Sequence, residues 1–309
     1  MTQNSLNSTL GSFTNISDSL VSLLEDRAET PSISLLTNQD FIAIIKRIDE
    51  LDFELKQIKE GKRVSFLYVE NKWKFVETRF PCCEKQCINT YNPDLFCTNG
   101  NGFIQIKSGT NVIYINCRKE RGTDKLARII AKNRFNRPKE NSTLFQCCLN
   151  CTTFTFFYYE VKITIKKGVV IGIGLRSQDI LVALWAPTNL IFYYFQSKGN
   201  KINLPSFSIK DGDVLGCGLV YPPSKNDKKL PYAFFTQNGK QIGKTLLLKE
   251  NYEYQPYLDL KCCSVETNFG DDLTSKPFLY NISKHYVAEE FYKDEEFHKD
   301  EEVYKGGCE

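Results

Sequence analysis

Four closely spaced thiols, Cys82, Cys83, Cys87 and Cys97, are the first residues in this chain whose types and spacing could do chemistry, and Cys147, Cys148 and Cys151 follow. Thiolates in such numbers can hold a structural zinc, which takes four sulfur or nitrogen ligands. Two features weigh against it: paired short-spaced knuckles are missing, and adjacent cysteines on a strand point to opposite faces. The spacing favours ordinary buried thiols, so neither a metal nor a cofactor is expected. Cys217 and Cys262 read simply as core residues. The total of twelve cysteines leaves the redox state open. A reducing compartment implies buried thiols or metal ligands, and an extracellular one implies disulfides.

Histidine narrows the rest. The chain has two, His285 and His298, both in or beside an acidic C-terminal stretch and outside the expected β domain. A Ser-His-Asp or Cys-His nucleophile system within that domain is therefore not expected. A glycosidase would need two carboxyls facing across a cleft. Glu160, Asp213 and Asp259 are the acids near core strands; Glu160 reads as solvent-facing and Asp213 as the start of a strand. Gly172-x-Gly174 and Gly216-x-Gly218 lack the third glycine of a phosphate-binding loop and lie on strands. No catalytic residue is assigned, and the chain is not expected to be an enzyme.

The elements that position these residues are mostly β. Aromatic residues make up 13% of the sequence, chiefly Phe and Tyr, a mix suited to strands. Tyr159, Val161, Ile163 and Ile165 alternate with Glu160, Lys162, Thr164 and Lys166, and Lys167-Gly168 turns the chain into Val169, Ile171, Ile173 and Leu175. Gly172 and Gly174 between them leave room for a facing sheet. Phe103 to Ile115 reads as a hairpin, Arg118 to Asn141 as charged and irregular, and Ile191 to Phe195 as an aromatic strand. Asp211 to Tyr221 and Tyr232 to Gly239 form a further strand pair. Asn238-Gly239 suits a type I′ turn, where both central residues take positive φ.

Around this core lie three other segments. Residues 1–32 are rich in Ser, Thr and Asn and read as a flexible arm. Residues 33–61 hold an amphipathic helix, with Phe41, Ile44, Ile48, Leu51, Leu55 and Ile58 at a/d spacing, Thr37 and Asp40 as a capping pair, and Gly61 past its end. A homodimer through Phe41 to Ile58 is one reading of that stripe, and packing on the chain's own domain is the other. Residues 273–309 form an acidic tail with a short aromatic-Lys-Asp-Glu-Glu repeat, expected to be disordered. From Lys284 onward its net charge is −5, against +3 for the whole chain. That overall balance names no nucleic-acid partner, and no apolar run approaches the roughly 18 residues of a membrane span. The first residues lack a signal-peptide pattern, so a cytoplasmic or nuclear protein is expected, with secretion as the alternative if a leader has been trimmed.

Five segments carry a family resemblance. Tyr158-Tyr159-Glu160-Val161, Ile171 to Leu175, Asp211 to Gly218, Phe234 to Lys240 and Asn268-Phe269-Gly270 occur in the order of the signature strands of the SPRY domain, which the chain resembles over residues 63–272. The cysteine-rich segment Cys82 to Cys117 resembles elaborations in expanded SPRY families of plant-parasitic nematodes, some of whose members are secreted effectors. Leu181 to Ile202 departs from the pattern, because it lacks the Gly-rich turn that often precedes the aromatic strand.

The resemblance implies an all-β, antiparallel two-sheet sandwich that binds a protein or peptide partner through loops at one end and catalyses nothing. An adaptor or scaffold role is the leading expectation, and a secreted effector or lectin-like binder with oxidised cysteines is the alternative. The loops suggest Arg176, Ser177 and Gln178, then Trp185 and Tyr194, then Tyr221, which opens a loop to Leu230 bearing Lys225, Lys228 and Lys229. Lys261 joins them from Asp259-Leu260-Lys261, read as the loop before the last strand. Arg, Trp and Tyr are the side chains that dominate interface energetics when centrally placed.

Overall fold

The computed structural model describes residues 37–59, 62–118, 121–137, 152–195, 198–223, 229–248 and 253–287. The arm at 1–32, residues 224–228 of the Tyr221–Leu230 loop, Cys147, Cys148, Cys151 and the repeat within 288–309 lie outside the described residues. The elements in chain order are α1 (Asn38–Lys59), β1 (Lys62–Phe66), β2 (Trp73–Val76), β3 (Phe103–Ile106), β4 (Asn111–Ile115), β5 (Ala127–Ala131), β6 (Thr152–Arg176), β7 (Ile180–Trp185), β8 (Leu190–Phe195), β9 (Lys198–Asn203), β10 (Val214–Tyr221), β11 (Tyr232–Gln237), β12 (Lys240–Leu247) and β13 (Gln255–Asn268). The chain divides into two units within α1, between Asp52 and Phe53.

At the start of α1, Thr37 and Asp40 cap each other. The Asp40 N–H donates to Thr37 Oγ1 at 3.3 Å, and the Thr37 N–H donates to Asp40 Oδ2 at 2.8 Å. This is a capping box with Asp in the place of Glu. The a/d stripe of Phe41, Ile44, Ile48, Leu51 and Leu55 is exposed along the helix. The side chain of Ile58 lies outside the described residues, as does Gly61.

Two long strands, β6 and β13, run antiparallel to each other and belong to both sheets of the sandwich. The first sheet has the order β12-β11-β10-β6-β13-β4-β3, with β1 parallel to the start of β6. The second takes the other ends of the same two strands: β9-β8-β7-β6-β13-β5-β2. The crossing point is an irregularity in the ladder. Lys261 pairs with Val170 and Cys263 with Ile165, so residues 166–169 of β6 face a single residue, Cys262. Lys167-Gly168 is therefore a bulge in one continuous strand, not a reversal of the chain. Such bulges bend the strand and sharpen its twist. Gly168 takes φ +79° there, and Cys262 opposite takes +53°.

Period-2 alternation sorts the side chains. Phe157, Tyr159, Val161, Ile163, Ile171, Ile173 and Leu175 of β6 enter the inter-sheet core with Leu215, Cys217, Leu219 and Tyr221 of β10. The opposite face of the first sheet is also buried. Phe154, Phe156, Tyr158, Val220, Tyr232 and Phe234 form a second apolar layer, covered by Phe278, Tyr280, Ile282 and Val287. This explains the unbroken aromatic run Phe156 to Tyr159, since a strand covered on both sides need not alternate. Gly218 fits the same layer: a Cβ there would fall inside the Phe234 ring. The space left by Gly216 and Gly218 is filled by side chains of neighbouring strands, and that left by Gly172 by Trp185, not by a facing sheet.

His285 belongs to this layer, correcting its expected place outside the sandwich. It is 1% exposed, stacks on Phe156 and Phe234, and lies between Tyr232 OH (2.7 Å from Nε2) and Tyr280 OH (2.8 Å from Nδ1). Residues 278–287 thus pack on the sandwich, and the acidic tail starts beyond them. Glu160 is corrected too. It is buried, and accepts hydrogen bonds from Tyr158 OH and from the N–H groups of Leu279 and Tyr280, each at 2.9 Å. A carboxylate inside the sheet thereby anchors the covering segment. The Arg118–Asn141 stretch contains β5, which its charged residues conceal.

The hairpin turn at Asn238-Gly239 is as the sequence predicts, with φ +48° and +76°. Asp213 reinforces it, accepting from Asn238 Nδ2 and Gln237 Nε2.

Candidate functional site

Four of the seven residues suggested by the sequence meet on one surface, the outer face of the second sheet. The pairing registers place them in rows. Tyr194 of β8 is opposite Leu181 of β7, which is opposite Arg176 of β6, opposite Gln255 of β13. The next row runs Phe192, Ala183, Gly174, Tyr257, Ile130, Phe75. The third runs Leu190, Trp185, Gly172, Asp259, Arg128. Lys261, two residues past Asp259, continues this face.

Aromatic groups form one wing. The Trp185 ring lies over Gly172, whose hypothetical Cβ would come within 2.6 Å of Cε3. This position tolerates only glycine, because the indole occupies the space a side chain needs. Phe192 and Tyr194 stack at 5.7 Å, and Lys201 Nζ sits 5.7 Å from the Phe192 centroid. Trp185, Phe192 and Tyr194 are all half-buried, so each presents part of a ring to solvent.

Charges form the other wing, around Tyr257. Arg128 donates Nε and Nη2 to Asp259 at 2.7 and 2.8 Å, and its guanidinium lies 4.9 Å from the ring centroids of both Phe80 and Tyr257. Arg176 Nη1 donates to Glu77 Oε2 at 2.6 Å, and Arg79 Nη2 donates to the same oxygen at 3.3 Å. Burial would raise the Glu77 carboxyl, but the hydrogen bonds from Arg79 and Arg176 outweigh it and hold the group below its ordinary value. Tyr257 is enclosed by Ile130, Ala183, Phe75 and Leu181, and its hydroxyl is buried without a hydrogen-bond partner among the described residues. Such orphan donors are rare in folded proteins.

Ser177 and Gln178 form the β6–β7 turn at the edge of this face. The Ser177 hydroxyl is engaged in the turn, accepting from the Ile180 N–H at 3.2 Å, while Gln178 is exposed. Tyr221 is a correction. It is fully buried in the inter-sheet core, donates to the Phe135 carbonyl at 3.1 Å and meets Phe157 edge-on. As the last residue of β10, it keeps the inward parity of Leu215, Cys217 and Leu219. Asp259 and Lys261 lie within β13, not in a loop before it. Glu77, Arg128, Phe192 and Tyr257 were missed as site residues. Phe192 was legible only as a strand residue, Arg128 fell in a stretch read as irregular, and the partners that bring Glu77 and Tyr257 to the site are not written in local sequence.

The cysteines also depart from the sequence reading. Cys82 and Cys83 lie in a bend, so adjacent side chains need not diverge, and their sulfurs are 3.8 Å apart. The sulfurs of Cys82, Cys83, Cys87 and Cys97 all fall within 4.8 Å of one another.

No family model and no curated protein matches the chain. Among solved structures it is similar to a human SPRY domain, with 20% identity and a TM-score of 0.37, over 55% of this chain and 97% of that one. The fold is an antiparallel two-sheet β-sandwich. Further similarities are to the carbohydrate-binding module CBM66 of Bacillus subtilis (13% identity, TM-score 0.30, 46% and 78% of the two chains) and to the metal-free carbohydrate-recognition domain of Emp46p (7%, 0.33, 55% and 87%).

Proposed function

We propose that this protein is a non-catalytic binding module that holds a protein or peptide partner on the outer face of its second sheet, in an adaptor or scaffold role. One observation carries the reading: Arg176, Trp185, Tyr194 and Lys261 come from four different strands onto a single surface. Half-buried Trp and Tyr rings beside fixed arginines are the composition of interface hot spots. The pre-formed ion pairs keep the arginines in place, so little side-chain freedom is lost on binding. The unpartnered Tyr257 hydroxyl adds an unused donor beneath the patch. This moves the expected contact from loops at one end of the sandwich to a sheet face.

The non-catalytic part is supported by how the candidate acids and bases are used. His285 is enclosed by tyrosines, Glu160 anchors backbone N–H groups and Asp259 is paired with Arg128. Peptide-library selection on the immobilised protein, followed by titration calorimetry, tests the reading. Trp185→Ala and Tyr194→Ala should each weaken the selected peptide by about 2 kcal/mol, or roughly 30-fold. Unchanged affinity in both would overturn it.

A cytoplasmic or nuclear setting is part of the same proposal. Twelve free thiols in denatured, chelator-treated protein isolated without reductant support it; none would overturn it.

A further inference from the structure

Residues 77–102 join β2 to β3 without a helix or strand among them. Structureless connections of that length are uncommon in compact domains, and this one is closely ordered around its thiols. Two tight turns carry the cysteines. The Gln86 N–H donates to the Cys83 carbonyl at 2.9 Å, with Gln86 at φ +46°, and the Gly100 N–H donates to the Cys97 carbonyl at 3.0 Å, with Gly100 at φ +72°. Asn101 Nδ2 ties the two together by donating to the Cys82 carbonyl at 2.7 Å. Gln105 Nε2 holds the intervening segment through the carbonyls of Asp94 and Leu95, both at 2.9 Å.

The geometry points to a tetrathiolate zinc site made by Cys82, Cys83, Cys87 and Cys97. In a tetrahedron with Zn–S bonds of about 2.3 Å the sulfurs stand about 3.8 Å apart. Here Cys82 and Cys83 are 3.8 Å apart and Cys83 and Cys87 3.4 Å, with all four within 4.8 Å. The donors around them suit thiolates. The Ile88 N–H donates to Cys82 Sγ at 3.4 Å and the Thr98 N–H to Cys87 Sγ at 3.5 Å, while Thr98 Oγ1 lies 3.1 Å from Cys87 Sγ. N–H and O–H groups aimed at sulfur are what outer-shell partners of a metal thiolate provide. Cys82, Cys83 and Cys97 are buried and Cys87 is half-exposed, which gives a metal one open side of approach. A donor set of four sulfurs selects zinc or iron over magnesium or calcium; the assignment is zinc, as a staple for a segment that lacks regular structure. Binding displaces the thiol protons to solvent and requires no oxidant.

Metal analysis of the full chain tests this, using protein expressed with added zinc and purified with reductant and without chelator. We expect about one zinc per chain, falling at least tenfold in Cys87→Ser and Cys83→Ser and unchanged in Cys117→Ser. Cys87→Ser is a near-isosteric change at a half-exposed residue. A second measurement needs no variant: cobalt(II) added to the zinc-stripped wild type should give thiolate-to-cobalt charge-transfer absorption and the visible bands of a tetrahedral ion. Substoichiometric zinc with no such spectrum, iron in place of zinc, or a Cys83–Cys87 disulfide as the isolated state would each overturn the assignment.

Discussion

Arg128 and Asp259 face each other across the β5–β13 ladder, the guanidinium donating to both carboxylate oxygens at 2.7 and 2.8 Å. Asp259 is 1% exposed and the pair lies beneath the proposed binding face. Two rings, Phe80 and Tyr257, flank the guanidinium, so this arginine is held by packing as well as by charge.

Removing one partner leaves the other charge buried and uncompensated. Arg128→Ala should therefore lower the unfolding free energy by about 3–5 kcal/mol. The double variant Arg128→Ala/Asp259→Ala should lose clearly less than the sum of the singles, with a coupling of about 1–3 kcal/mol. Urea denaturation of the four proteins measures this, and additive losses would contradict the pairing.

His285 makes stability depend on pH. Burial holds its pKa down from 6.5 to about 4. Between those values the unfolded chain binds a proton that the folded chain does not, so stability rises with pH. The contribution is complete above about pH 6.5 and falls away as the pH drops toward 4. Each pKa unit corresponds to about 1.4 kcal/mol, so the loss across the window is on the order of 3 kcal/mol. The hydroxyls of Tyr232 and Tyr280 face its two ring nitrogens. A His285→Gln variant should lack this part of the pH profile, and an unaltered profile would remove His285 as its source.

The exposed stripe of α1 makes a second prediction about association, independent of the sheet face. Phe41, Ile44, Ile48, Leu51 and Leu55 sit at a/d spacing and are each about half exposed, as a seam for a second copy would be. Light scattering should then give twice the 35.6 kDa chain mass, and Ile48→Glu should return the single-chain mass. A single-chain mass for the wild type at micromolar concentration would rule the seam out.

Much of the fold was legible because alternation and turn chemistry are local. The Asn238-Gly239 turn, the inward parity of Tyr159 to Ile163 and the helix cap at Thr37 each depend on neighbours within a few residues. What failed depended on distant partners. Glu160 read as solvent-facing and His285 as lying outside the sandwich because both depend on residues 278–287 covering the first sheet, and Tyr221, at the end of its strand, read as the opening of a loop although it keeps the inward parity of β10. The site was half legible. Arg176, Trp185, Tyr194 and Lys261 stood out by residue type, but their shared face depends on the order β8-β7-β6-β13. Glu77, Arg128 and Tyr257 complete it through pairings that no local pattern encodes. The thiol cluster was dimmed by treating Cys82-Cys83 as a strand pair, whereas a bend turns both sulfurs to one side.

The central claim is that the outer face of the second sheet binds the partner. Hydrogen exchange of the protein with and without its selected peptide tests this most directly, because it reports where protection appears. The account predicts added protection in residues 172–194 and 255–261, with residues 204–221 and 232–247 unchanged. Protection confined to the latter segments would contradict it.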